Sequence, residues 1–282
     1  MEFKEMSAHR IAELLPKRIP NTHKGDYGKV LLLCGSRGYT GAAALAAMGA
    51  LRTGSGLVYL GVPACIYEIE AIKLTEPVVF PLPDDNGMFS EKAIFAIMEL
   101  LNKMDAVLIG PGIGQSNGTF LTVKTVLEQF TGPVVVDADG INVLSEHIDI
   151  LRSRTGPTIL TPHEGEFVRL NGTIDSSRVD AAVNFADVTG SIIVLKGHNT
   201  VITDGRTCYI NPTGNPGMAV GGSGDVLAGV IVSLLGQGAS PLEAAACGAW
   251  LHGRAGDLCA QKLGQYGMLP SDMIDVLPQL LM

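Results

Sequence analysis

Apolar residues run almost unbroken through several short stretches of this chain, and each stretch closes on glycine or proline. "KVLLLCG" (29–35), "DAVLIGPGIG" (105–114), "PVVVDADGINVL" (133–144) and "SIIVLKG" (191–197) are of this kind. Runs without polar alternation suit strands buried on both faces. Further strands are expected in "LVYLGVP" (57–63), "EPVVFPLP" (76–83) and at the start of "PTILTPHEGEFVRL" (157–170). Between them lie stretches of helical character. These are "GAAALAAMGALRTGSG" (41–56, stopped by Gly54 and Gly56), "PACIYEIEAI" (63–72) and "SEKAIFAIMELLNKM" (90–104, with Ser90 as its expected cap). "GTFLTVKTVLEQF" (118–130) and "SSRVDAAVNFADVTG" (176–190) complete the set. Repeated β–α units demand parallel strands with helices on both faces.

The rhythm breaks at "TVITDGRTCYIN" (200–211), two short runs around Asp204-Gly205. That is the pattern of a tight hairpin, and it adds late antiparallel edge strands to the sheet. The remainder reads as helix: residues 222–237, 240–263 and 270–281. The expected fold is therefore a three-layer α/β/α domain over residues 1–282, with a mostly parallel central sheet. No stretch reads as a linker, and no fixed-period repeat occurs.

Composition narrows the function classes. Net charge is −8, and no Lys/Arg cluster marks a nucleic-acid surface. The N-terminal stretch lacks the apolar core of a secretory signal, and runs such as "VIVSLL" are far too short to span a membrane. Five scattered cysteines without a C-x-x-C pair read as small buried hydrophobes of a cytoplasmic protein.

The densest chemistry lies in "NPTGNPGMAVGGSGDVLAGV" (211–230). Glycines crowd ahead of one carboxylate, Asp225, and an apolar helix follows. Free N–H groups at a helix start favour an anion, and glycine lets backbone approach it closely. Asp225 would repel a phosphate, so its expected task is to hold and deprotonate an attacking hydroxyl. The helix N-terminus is expected to keep it ionised. A plain turn with Asp225 as a cap is the alternative. Lys196, at the end of a buried strand, can neutralise a phosphate or simply snorkel. His163 follows a strand and Pro162, and is either a site residue or structural. Glu164 and Glu166 can reach Mg²⁺ through water or serve as first-turn acids, the latter favoured for Glu164. "GPGIG" (110–114) is a tight turn or a close approach to ligand. The small-residue stretch 41–50 serves dense packing, and would also leave room for a large dinucleotide.

These segments together resemble the NAD(P)H-hydrate dehydratase branch of the ribokinase-like superfamily. "LIGPGIG", "TPHEGEF", "VLKGHNT" and the glycine-rich segment occur in the family's order, and the likeness runs from about His23 to the final helix. The resemblance implies Asp225 as base. Ala42, Gly112, Gly114, His163 and Asp225 would contact the hydrated nicotinamide nucleotide. Lys196, Gly197, His198, Asn199, Thr200, Gly221, Gly222, Ser223 and Gly224 would hold an adenine nucleotide. Glu166 is the candidate for Mg²⁺ through water. The activity implied is ADP- or ATP-dependent dehydration of the S epimer of NADH- and NADPH-hydrate, with release of AMP or ADP and phosphate. Standalone bacterial members use ADP. Eukaryotic relatives use ATP and carry an Arg-rich stretch where this chain has "GNPGMAV" (214–220), which favours ADP here. The resemblance also implies a homotetramer and a separate epimerase, for which this length leaves no room. A small-molecule kinase of the same fold, for hydroxyethylthiazole, hydroxymethylpyrimidine or a sugar, is the alternative. A nucleotide-binding regulator without turnover is opposed by the presence of Asp225.

Overall fold

The computed structural model describes residues 2–4, 6–14, 18–175 and 177–281. Its strands, in chain order, are β1 (Glu2–Lys4), β2 (Lys29–Leu33), β3 (Leu57–Pro63), β4 (Val78–Leu82), β5 (Asp84–Asp85) and β6 (Met88–Phe89). They continue with β7 (Ala106–Ile109), β8 (Val134–Val136), β9 (Thr158–Leu160), β10 (Ile192–Leu195), β11 (Thr200–Thr203) and β12 (Thr207–Asn211). Ten of them form one sheet in the order β1-β12-β11-β10-β9-β8-β7-β2-β3-β4. Every neighbouring pair is parallel except β10–β11 and β11–β12. The hairpin thus stands where the sequence puts it, and β1 covers its outer side as a further parallel strand.

The unbroken apolar runs become strands buried on both faces. Val30 and Leu32 of β2, Leu108 of β7 and Val135 of β8 enter one core. Their chain neighbours Leu31, Leu33, Ile109 and Val136 enter the other. A strand that alternates sides can be apolar throughout only when helices cover both faces.

Three helices frame the site: α1 (Thr40–Arg52), α2 (Ser223–Gly236) and α3 (Pro241–Leu263). The small residues of α1 serve packing. A Cβ on Gly229 of α2 would come within 2.2 Å of the Ala46 carbonyl oxygen, and one on Gly49 within 2.9 Å of that of Val226. The two backbones touch because no side chain separates them.

Two expectations need correction. The helix after Ser90 begins at Ala93, and Ser90 Oγ instead donates to the Pro83 carbonyl, because the short β5–β6 ribbon, unseen in the sequence pattern, brings Pro83 beside it. Cys65 is exposed while the other four cysteines are buried, since it sits in a surface turn beyond the end of β3. Ser176, expected to open a helix, lies outside the described residues; that helix is Arg178–Thr189, capped by Ser177. No described helix is long and apolar enough to cross a membrane.

Candidate active site

In open α/β sheets ligands bind at the carboxyl ends of the strands, where the strand order reverses. Here β7, β8, β9 and β10 all end at one edge, and the N-terminus of α2 points at it. A cleft of about 910 Å³ opens there. His163, Lys196, Gly197, His198, Asn199, Thr200, Gly221, Ser223 and Gly224 all line it. Residues separated by up to 61 positions in sequence are thus gathered by the topology at one rim.

Lys196 stands at the centre. Its Nζ donates to Asp137 Oδ1 at 2.9 Å and lies 3.8 Å from Glu166 Oε2. Burial alone would lower the lysine pKa, but Asp137 and Glu166 outweigh it and the net shift is upward. Asp137 also accepts from Thr161 Oγ1 at 2.6 Å. Gly224 faces this group: a Cβ there would stand 3.4 Å from Lys196 Nζ and 3.9 Å from Asp137 Oδ2. Gly224 is therefore open toward the cleft. Gly222 differs, since its φ of +99° and a Cβ position 2.5 Å from Leu45 explain the glycine without any ligand.

Asp225 sits in the first turn of α2. Burial, then Asp137 and Asp139, push its pKa from 3.8 up to about 7, against the opposing pull of Lys196. The expectation that the helix end would keep it ionised is corrected: loss of water, then neighbouring carboxylates, raise its pKa to about 7.

Ala42, Gly112 and Gly114 do not line the cleft. They gather beside Asp139 and Tyr39, outside that lining. A Gly112 Cβ would lie 2.9 Å from that of Ala42, and the Gly114 N–H donates to Asp139 Oδ2 at 2.9 Å. Gly112 and Gly114 have φ of +63° and +72°, so "GPGIG" is a turn that needs glycine.

His163 caps the helix Glu164–Arg169. Its Nδ1 accepts from the Glu166 N–H at 3.2 Å, and Glu166 Oε2 accepts from the His163 N–H at 2.9 Å. Both Glu166 oxygens therefore have protein neighbours, the second being His163 Nε2 at 3.5 Å. Among the described residues no group of three or more His, Cys, Asp or Glu stands ready to hold a metal ion. Mg²⁺ does not need such a cage, because it keeps several waters and binds phosphate oxygens.

Three residues here were missed by sequence reasoning. Asp137 and Asp139 lay in a segment read only as strand, turn and helix, yet two acids just past a buried strand are a signal in themselves. Between them Ala138 adopts φ 48°, ψ −116°, a conformation costly for any residue with a Cβ. His252, inside α3, lines the cleft with its Nε2 3.3 Å from Ser223 Oγ. Burial lowers its pKa to about 4, so it is neutral near pH 7.

Comparison with known proteins meets this geometry. A family model for NAD(P)H-hydrate dehydratase matches residues 30–279. The bifunctional NAD(P)H-hydrate repair enzyme Nnr of Moorella thermoacetica is 46% identical over 274 residues, covering 95% of this chain and 52% of that protein. The chain spans about half the length of the curated relatives it matches. The ADP/ATP-dependent NAD(P)H-hydrate dehydratase of Bacillus subtilis, co-crystallised with ATP/Mg²⁺, superposes with a TM-score of 0.84 at 31% identity, over 97% of this chain and 96% of that one. A hydroxyethylthiazole kinase from Pyrococcus horikoshii, at 17% identity, TM-score 0.64 and coverage of 96% and 91%, shares the fold alone.

Proposed function

This chain belongs to the NAD(P)H-hydrate dehydratase family, and from that premise we propose that it converts the S epimers of NADH- and NADPH-hydrate back to NADH and NADPH, using ADP in preference to ATP. One observation carries the reading: a carboxylate held near pKa 7 next to an anion cradle of glycine, helix N-terminus and lysine. Such a group is half ready to take a proton at neutral pH, which is what a general base requires.

In the proposed reaction the adenine nucleotide lies in the cleft. Lys196 and the first N–H groups of α2 meet its phosphates. The hydrated nicotinamide ring lies on the side of Ala42, Gly112 and Gly114, with His163 at the junction. Asp225 orients the ring hydroxyl and takes its proton. That oxygen forms a bond to the terminal phosphorus, and the bond from phosphorus to the nucleotide's bridging oxygen breaks, freeing AMP from ADP. The phosphorylated oxygen then leaves with its bonding electrons as the ring nitrogen donates its lone pair. Loss of a proton from the adjacent carbon restores the dihydropyridine. Mg²⁺ carried in with the nucleotide would neutralise phosphate charge, and Asp137 and Glu166 are the carboxylates that can reach it through water.

The curated relatives are named bifunctional repair enzymes, which supports coupling to a second activity. We assign that activity to an epimerase supplying the S epimer. Action as a cytoplasmic homotetramer rests on the family resemblance.

The test is spectrophotometric. Hydrated NADH incubated with the protein, Mg²⁺ and ADP should regain the dihydronicotinamide absorbance and release phosphate and AMP in equal amounts. A phosphorylated product that persists, with no return of absorbance, would instead indicate a kinase.

A further inference from the structure

Arg178 opens the helix Arg178–Thr189. A cation in a first turn opposes the helix dipole, so this side chain must find its partners elsewhere. Its Nη1 donates to the His198 carbonyl at 2.7 Å. Its Nη2 donates to the carbonyls of Leu195 at 3.0 Å and Lys196 at 2.9 Å. Its Nε forms an ion pair with Glu164 Oε1 at 3.0 Å, without hydrogen-bond geometry. Gly197, with φ of +151°, would place a Cβ 2.6 Å from Nη2. The glycine of "KGHNT" is thus explained by this backbone conformation, without reference to a nucleotide.

These contacts join two walls. Residues 196–200 line the cleft on one side. Glu164 directly follows His163, which also lines the cleft and pairs with Lys196 in a parallel bridge. We infer that Arg178 is a positioning residue that holds the loop 196–200 against the His163 turn, adding to the backbone bridge between His163 and Lys196 and so shaping the cleft wall on which both lie. The inference rests on reading this cleft as the nucleotide site. Lysine cannot take over the task. Its ammonium is a compact point charge, whereas the planar fork reaches several fixed acceptors at once.

The experiment uses the full chain with Arg178→Lys and Glu164→Gln, each checked for folding by thermal melting. ADP binding is measured by calorimetry without hydrate, then KM and kcat for ADP and hydrated NADH. Losing charge-assisted contacts to the loop should weaken ADP binding by about tenfold in Arg178→Lys, with KM moving more than kcat. Glu164→Gln keeps the loop contacts and severs the link to the His163 turn, so it should raise the KM for hydrate more than that for ADP. A folded Arg178→Lys protein that binds ADP within about twofold of wild type overturns the positioning role. Unchanged KM values in Glu164→Gln overturn the link between the walls, and this holds even where the lysine variant does not fold. If wild type binds ADP but leaves hydrate untouched, the proposed activity fails, and calorimetry alone still decides the role of Arg178.

Discussion

At the scale of single residues, the chemistry turns on how Asp225 is held between opposing influences. Burial and two acidic neighbours raise its pKa to about 7, while Lys196 resists. An acid with a higher pKa in the folded than in the unfolded chain takes stability away as pH rises. The window here runs from 3.8, its ordinary value, to about 7. Catalysis has the opposite slope, because only the carboxylate accepts a proton. We therefore expect kcat/KM to rise with pH through an apparent pKa near 7. Asp225→Asn should melt higher than wild type at pH 8, since the amide carries no charge into the site. A flat rate profile across neutral pH, or a variant that melts lower, would contradict this view of the residue. The signal for Asp225 was legible in sequence, because turn, acid and apolar helix are contiguous. Its pKa was not, because Asp137 and Asp139 reach it only through the fold.

At the scale of elements, the site depends on how closely α1 and α2 pack. Gly229 and Gly49 let the helices meet backbone to backbone. Gly229→Ala would push a methyl group against the Ala46 carbonyl, an overpacking that costs about 1–3 kcal/mol. The expected outcome is a clear fall in Tm by scanning calorimetry; an unchanged Tm would mean that the helices part freely. The β–α alternation was legible because buried parallel strands read as plain apolar runs. The hairpin was legible from Asp204-Gly205. What could not be read was the meeting of distant elements. Arg178 and His252 drew no reading from the sequence, one lying in the first turn of a helix and the other inside a long one. Neither carries a local motif; Arg178 acquires its partners only when its helix packs against the end of β10, and His252 only when α3 meets the start of α2.

At the scale of the whole molecule, charge bears on the choice of nucleotide. The chain carries a net charge of −8. Among the described residues lining the cleft, Lys196 is the one lysine or arginine, and it is already engaged by Asp137 and Glu166. A third phosphate would bring more negative charge into a site with little left to meet it. At saturating Mg²⁺ and fixed hydrate, kcat/KM should be higher for ADP than for ATP. An ATP value equal to or above that for ADP would overturn the preference and leave the dehydratase reading intact.

The central claim is that a nucleotide cradle and a separate base act together on one hydroxyl. Measuring Asp225→Asn tests it most directly, with hydrate turnover followed by absorbance and ADP binding followed by calorimetry on the same preparation. Loss of a positioned base should lower kcat by about 10²–10⁴-fold while ADP affinity stays close to that of wild type. A variant that retains near-wild-type kcat would contradict the account.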